Sequence, residues 1–376
     1  MKTRLPVPAR VLLSCVLALA IGEILCRYRF RRNVEALAIT EADLYYFYDL
    51  AGVRHHVPNK VGRERMWNGI GTAEFRINAW GFRGPPLDRQ KQPGICRVVF
   101  LGDSITLGGR LNEPDIFVSR VGQALNREHP VPIEVVNTGV GDIGVAEELD
   151  ILEHKVLRLS PDLVVLCWFL NDGRPPVAAR EETIYRNPVI RWLQRQPILK
   201  KSYMAGLAYE AIRDWLLTHN LEGMNRVNVR FAWGPLYQRG TWRADPAAFR
   251  EMLRLARYEW GDAWNPESRG RMFGMIARMA GKSRAAGARF AVVAFPVEAQ
   301  VTATVADAIP EFDEPQREMA ALCRSLELPF LDLLPALRAR SAEPVFYDYC
   351  HYTPHGNEVV ADLITAFLQE HHLVQP

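Results

Sequence analysis

A serine in the first third of the chain and an aspartate–histidine pair near its C-terminus supply the side chains that acyl transfer requires. Ser104 follows an apolar run and Gly102, and Asp348 and His351 are three residues apart. A serine hydroxyl becomes a strong nucleophile when an adjacent base takes its proton, and histidine can be that base. A carboxylate can orient the histidine and stabilise its protonated form. We therefore predict Ser104 as nucleophile, His351 as base and Asp348 as the orienting acid.

Such a nucleophile also needs hydrogen-bond donors for the negative charge that develops on a carbonyl oxygen. The candidate donors are the backbone N–H groups of Ser104 and of the turn at Gly141 and Asp142, together with the side-chain amide of Asn171. The neighbouring acids Asp103 and Asp172 are interpreted as acceptors that brace their loops. His355, close to His351, falls at a predicted helix start and is expected to be exposed, and Cys350 is not expected to be a nucleophile.

The elements that must position these residues alternate between strand and helix. Apolar runs of four to six residues predict five strands, at 98–101, 133–137, 163–168, 290–295 and 329–333. Helices are expected between the strands, and a closing helix at 354–369. This alternation is typical of a parallel sheet with right-handed crossovers. Sites in such sheets form outside the carboxyl ends of the strands, where the candidate loops lie.

Four blocks of this sequence resemble those of the SGNH (GDSL-type) hydrolase superfamily, in the same order. They are Gly102-Asp103-Ser104, the glycine turn after the second strand, Phe169-Leu170-Asn171-Asp172, and Asp348-x-x-His351. The resemblance covers roughly residues 96–370. It implies a flavodoxin-like three-layer α/β/α fold with strand order 2-1-3-4-5. It also implies ester hydrolysis or acyl transfer through an acyl-serine, without a metal or an organic cofactor.

Two positions depart from the family pattern. Leu170 stands where glycine usually precedes the Asn-Asp pair. An ungapped comparison places Asp142, and not Gly141, at the oxyanion position of the second block. Because the donor there is a backbone N–H, and Asp tolerates unusual backbone angles better than most residues, both positions stay candidates.

The N-terminal segment, residues 1–33, is predicted to be a signal-anchor or transmembrane segment. Residues 11–25 are apolar apart from Ser14 and Glu23, and both flanks are basic. A cleaved signal peptide and a buried core helix are the alternatives, since the apolar run is short for a span. Balanced flanking charge does not fix the orientation. We expect a membrane-anchored protein with its catalytic domain outside the cytoplasm.

Two further segments complete the predicted domain organisation. Residues 34–95 form a small β-containing prelude, in which Arg83 is expected to be structural. Residues 96–376 form the hydrolase domain, which includes a helical insert at about 173–265. Six of the nine tryptophans fall in this insert. They either pack the insert onto the domain or form a surface that faces substrate or membrane.

Charge and cysteine usage exclude several classes of protein. A net charge of +3 over 376 residues does not indicate nucleic-acid binding. The six cysteines are scattered and form no C-x-x-C pair. Zinc and iron–sulfur sites are therefore not expected, and the cysteines are predicted to be free thiols. A nucleotide- or flavin-binding protein is disfavoured because no glycine-rich phosphate loop follows the first strand.

The sequence thus predicts a serine esterase that acts on a small-molecule or glycan-linked ester. An acyltransferase that passes its acyl group to a glycan hydroxyl is the nearest alternative. A catalytically silent binding protein on the same fold is the third hypothesis.

Overall fold

The computed structural model describes residues 6–29, 46–48, 53–128, 130–174, 204 and 231–374. The chain divides into two compact units, 1–43 with 181–225, and 44–180 with 226–376. In the first unit, helix α1 (Val7–Arg29) is the one described helix that is long and apolar enough to cross a membrane. The apolar stretch of this helix, Val7–Cys26, has no buried residues among those described. A membrane span and a signal sequence both fit this helix.

The second unit begins with two antiparallel strand pairs. Strand β1 (Tyr46–Tyr48) pairs with β2 (Arg54–His56), and β3 (Val61–Arg65) pairs with β4 (Thr72–Arg76). Burial alternates along β4, as expected for a strand with one covered face. The pairing of β4 with β3 ends at Arg76, and Ile77 forms only an isolated bridge to Arg83.

A five-stranded parallel sheet forms the centre of this unit. Its strands are β5 (Cys96–Gly102), β6 (Ile133–Asn137), β7 (Leu163–Phe169), β8 (Arg289–Phe295) and β9 (Phe330–Asp332). The order β6-β5-β7-β8-β9 is the predicted 2-1-3-4-5, so the expected fold class is confirmed. Every residue of β5 and β7 is buried, which is why both read as continuous apolar runs in the sequence.

Helices cover both faces of the sheet and complete three layers. Helix α3 (Phe117–Glu128) packs against α11 (Pro354–Glu370) on one face, and α4 (Val145–His154) packs against α7 (Pro266–Ala285) on the other. The helices of this unit are α2 (Ser104–Leu107), α3 (Phe117–Glu128), α4 (Val145–His154), α5 (Gly234–Arg239), α6 (Pro246–Leu255), α7 (Pro266–Ala285), α8 (Glu298–Thr302), α9 (Glu314–Ser325), α10 (Leu334–Arg338) and α11 (Pro354–Glu370).

Most of the predicted insert, residues 175–203 and 205–230, lies outside the described residues. The described remainder holds α5, α6 and the 3₁₀-helix Trp260–Trp264. Trp233, Trp242 and Trp260 are buried there, which supports the packing interpretation for these three side chains. Trp192 and Trp215 fall in the part of the insert that is not described. All six cysteines are described, and each is a free thiol, as predicted.

Candidate active site

The structure brings the three predicted triad residues into one hydrogen-bonded chain. Ser104 is the first residue of α2, directly beyond β5, and Asp348 and His351 lie in the loop before α11. The Ser104 Oγ is 2.9 Å from His351 Nε2. The other ring nitrogen, His351 Nδ1, is 2.7 Å from Asp348 Oδ2. A hydroxyl that donates to Nε2, with Nδ1–H donating to a carboxylate, is the arrangement that activates a serine.

The loop that carries Asp348 and His351 also holds them through its own backbone. Asp348 Oδ1 accepts the N–H groups of Cys350 at 2.9 Å and of His351 at 2.7 Å. Tyr347 stacks on the imidazole, with ring centroids 5.6 Å apart and planes 12° apart. The hydroxyl of Tyr347 donates to the Gly109 carbonyl at 3.3 Å. The imidazole is therefore fixed by contacts on its edge and on its face.

Electrostatics at this pair favour an ionised Asp348 and a more basic His351. Burial alone would raise the pKa of Asp348, but hydrogen bonds from His351 and from two backbone N–H groups hold it below its usual value. Burial alone would lower the pKa of His351. The hydrogen bond and charge of Asp348, with the charge of Asp103, outweigh that effect and raise it. The pair is thus arranged to stabilise an imidazolium.

The serine loop is shaped by close packing and by one cap. A Cβ on Gly102 would lie 2.2 Å from Thr106 Oγ1, so this position has no room for a side chain. Asp103 caps α2, because its Oδ1 accepts the Ile105 N–H at 2.9 Å. The Ser104 N–H lies at the start of this helix, where the first amides have no intrahelical acceptor. Asp103 thus braces its loop, as expected.

The glycine turn after β6 packs directly against the serine loop. The Val140 N–H donates to the Gly102 carbonyl at 3.2 Å. A Cβ on Gly139 would lie 2.3 Å from the Leu107 nitrogen, which explains this glycine. Asp142 has φ +65°, in the left-handed region that Asp enters more readily than most residues. Of the two candidate positions in this turn, Asp142 is therefore the one with the left-handed backbone conformation.

Two residues of the prelude hold this turn, and no motif in the sequence pointed to them. Arg54 donates from Nη1 to the Gly141 carbonyl at 3.1 Å. The Nε2 of His56 lies 3.3 Å from the Gly139 carbonyl. Burial, with the positive charge of Arg54, lowers the pKa of His56 to about 3. His56 is therefore neutral at ordinary pH and can donate through one ring nitrogen.

The third predicted block lies beside the turn. The Val145 N–H donates to the Asp172 carbonyl at 2.9 Å, which joins the two loops. Asp172 braces its own loop, because its Oδ2 accepts the Phe169 N–H at 2.8 Å. Asn171 is buried, and no side-chain hydrogen bond to the described residues involves it. Its amide is therefore available as a donor to a bound oxyanion.

Buried acids lie behind these loops. Burial raises the pKa of Asp103, Asp172 and Glu148, and their mutual repulsion adds to the effect at Asp172 and Glu148. Both carboxyl oxygens of Glu148 are buried without a hydrogen-bond partner among the described residues. Burial and the neighbouring acids thus both favour the protonated form of Glu148.

The other residues that the sequence singled out have structural roles or none at the site. Arg83 donates to the carbonyls of Leu107, Gly108 and Leu111, as a structural arginine would. His355 is 44% exposed and contacts Glu343, which confirms its expected exposure.

The donor atoms of Asp348, Cys350 and His351 lie within 4.8 Å of one another, a spacing that could suit a metal ion. Burial raises the pKa of the Cys350 thiol well above its ordinary value. A metal binds the thiolate and not the thiol, and Asp348 already occupies the Nδ1 of His351. The cluster therefore fits a triad better than a metal site.

No family model and no curated protein matches the sequence. Among solved structures, the chain is similar to TesA, with 15% identity and a TM-score of 0.40 over 73% of this chain and 98% of that one. It is also similar to a catalytic mutant of Axe2, an acetylxylan esterase from Geobacillus stearothermophilus, with 14% identity and a TM-score of 0.41 over 72% and 93%. A lipase/acylhydrolase from Enterococcus faecalis gives 17% identity and a TM-score of 0.38 over 73% and 96%. Similarity at this level does not assign an activity.

Proposed function

We propose that this protein is a serine ester hydrolase of the SGNH type. The observation that carries the proposal is the continuous chain from Ser104 Oγ to His351 Nε2, at 2.9 Å, and from His351 Nδ1 to Asp348 Oδ2, at 2.7 Å. A serine that merely starts a helix has no need of a histidine held in this way. The strand order, which places the candidate loops at one edge of the sheet, supports the same function.

In the proposed reaction, Ser104 Oγ attacks the carbonyl carbon of an ester while His351 Nε2 takes the hydroxyl proton. The carbonyl oxygen becomes an oxyanion, which accepts hydrogen bonds from the N–H groups of Ser104 and Asp142 and from the amide of Asn171. The intermediate expels the alcohol, which receives the proton from His351. Water, activated by the same histidine, then releases the acid and restores the serine.

We favour Asp142 over Gly141 as the backbone donor of the turn. The left-handed conformation lies at Asp142, and Arg54 already holds the Gly141 carbonyl. This carbonyl and the Asp142 N–H belong to one planar peptide, in which they point in opposite directions. A carbonyl held by the prelude therefore fixes the direction of the N–H.

Reaction with a fluorophosphonate probe tests the proposed nucleophile. We expect the full-length protein in detergent to be labelled and the Ser104→Ala variant to remain unlabelled. Ser325→Ala is the control, because this serine lies at the exposed end of α9. Labelling that persists in Ser104→Ala, or its absence from folded wild-type protein, would contradict the proposal and favour the silent binding protein.

Acyl transfer to a glycan hydroxyl would use the same acyl-serine. An esterase releases acid at the same rate with or without a glycan, whereas a transferase needs the acceptor. The apolar helix α1 and the buried aromatic side chains near residues 231–265 suit either activity. We further propose that α1 anchors the protein in a membrane with residues 96–376 as the catalytic domain, outside the cytoplasm.

A further inference from the structure

One buried guanidinium contacts two of the loops that carry the proposed oxyanion donors. Arg174 follows the third block, and its side chain is 2% exposed. Its Nε donates to the backbone carbonyl of Asn171 at 3.0 Å. Its Nη2 lies 3.0 Å from Asp142 Oδ1. The same side chain therefore holds both residues that we propose as donors beyond the serine loop.

The third contact of Arg174 leads toward the triad. Its Nη1 donates to Glu259 Oε2 at 2.7 Å, and Glu259 is fully buried. The other carboxylate oxygen, Glu259 Oε1, accepts the Tyr349 hydroxyl at 3.2 Å. Tyr349 is adjacent to Asp348 in the chain. One polar path thus runs from the oxyanion loops through Arg174 and Glu259 to the loop that holds His351.

The geometry of this path suits a positioning role better than a contribution to stability. The desolvation cost of a buried ion pair offsets most of its attraction, and an apolar pair of the same size often stabilises a fold equally well. A guanidinium offers N–H donors in a rigid planar fork, which a lysine cannot reproduce. Here the guanidinium donates hydrogen bonds to the Asn171 carbonyl and to Glu259 and forms an ion pair with Asp142, so it ties together three separate segments.

Asp142 is also held from its other side. The Gly141 carbonyl accepts from Arg54, and the Asp142 carboxylate meets Arg174. The peptide between these contacts is the one whose N–H is proposed to face the oxyanion. Because Asp142 occupies the left-handed region, its conformation depends on the surrounding contacts to persist.

We propose that Arg174 is the positioning residue of the oxyanion side, that it holds Asp142 and Asn171 together, and that Glu259 is its counter-ion. This inference rests on the proposed function. It extends the site to a residue that does not touch the substrate and to Glu259, a glutamate in the described part of the insert, next to the 3₁₀-helix Trp260–Trp264.

The first test uses the full-length Arg174→Lys variant, which loses the planar guanidinium but keeps the positive charge. Its steady-state kinetics are measured with p-nitrophenyl acetate as substrate. Loss of the fork's charged hydrogen bonds predicts a kcat about 10- to 100-fold lower. KM should change by less than about threefold, because the lost contacts matter most in the transition state. The acid limb of the pH profile should not move, since Arg174 touches neither His351 nor Asp348.

Arg269→Lys is the matched control. Arg269 is also a largely buried arginine paired with a glutamate, Glu314, at 2.7 Å, and it donates to the Ala263 carbonyl. We expect both variants to lower the melting temperature and only Arg174→Lys to lower kcat. A kcat for Arg174→Lys within about twofold of the control would overturn the inference, as would a shift of its acid limb.

Glu259→Gln provides a second variant if Arg174→Lys does not fold. Glutamine keeps the shape and can still accept the Tyr349 hydroxyl, but it removes the counter-ion. A fall in kcat with an unchanged acid limb would support the inference, and an unchanged kcat would overturn it. Labelling of the wild-type protein by the fluorophosphonate separates the two proposals. If the wild type is not labelled, the serine hydrolase itself is contradicted. If the wild type is labelled and active, the variants test only the role of Arg174.

Discussion

The two halves of the candidate site are held in different ways. Asp348 and His351 lie in one loop, where the carboxylate of Asp348 accepts both the backbone N–H and the side-chain N–H of His351. The oxyanion side is held by residues from other parts of the chain, Arg54 in the prelude and Arg174 beyond β7. The acid–base pair is thus formed largely by local structure, whereas the oxyanion side depends on tertiary contacts. Substitutions in each half should therefore have different signatures.

The largest loss of activity is expected when the proposed base, His351, is replaced. His351→Ala leaves no base for Ser104, so we expect kcat for p-nitrophenyl acetate to fall by about 10⁴-fold or more. Steady-state kinetics on the full-length protein measure this. His355→Ala is the control, because this exposed histidine lies four residues away. Equal activity of the two variants would refute the assignment of the base.

Asn171→Ala should have the next largest effect, on the oxyanion side. Removing one oxyanion donor costs about 10²- to 10³-fold in kcat. The pH profile should keep its shape, since the acid–base pair is untouched. Asn68→Ala, in the exposed β3–β4 turn, is the control. A fall in kcat of less than about tenfold would show that Asn171 is not a donor to the oxyanion.

Arg54→Met should have a smaller effect, because Arg54 acts through the Gly141 carbonyl and not on the substrate. The loss of one charged hydrogen bond predicts a kcat about tenfold lower. Arg63→Met, on the exposed side of β3, is the matched control within the prelude. If the two variants retain equal kcat, the prelude does not support the oxyanion side.

The smallest effect is expected in the pH profile of an Asp103→Asn variant. His351 must be neutral to accept the proton of Ser104, so kcat/KM falls as pH drops through the pKa of His351. Asp348 and then Asp103 raise that pKa against the effect of burial, which places the acid limb above the ordinary value for histidine. Asn at 103 can still cap α2 but carries no charge. We expect its acid limb to move to lower pH, and a shift to higher pH would contradict the electrostatic account.

The sequence by itself determined the sheet and the three residues of the candidate triad. Strands β5 to β9 fall within two residues of their predicted bounds. The clearest cases are β5, β7 and β8, because strands buried on both faces appear in the sequence as apolar runs. Ser104, Asp348 and His351 could be found because each belongs to a short motif at a strand end or before a helix. Ser104 and His351 are 247 residues apart in the sequence. The sheet topology that the strands imply brings the two residues together.

Only the tertiary structure decided how the oxyanion side is held. Arg54, His56 and Arg174 occur in no motif, and in the sequence they resemble surface arginines and histidines. They become functional candidates because packing buries them and directs their N–H groups at the backbone of the glycine turn and of the third block. The preference for Asp142 over Gly141 has the same origin, since both residue types tolerate a left-handed backbone conformation and only the structure shows that Asp142 adopts it.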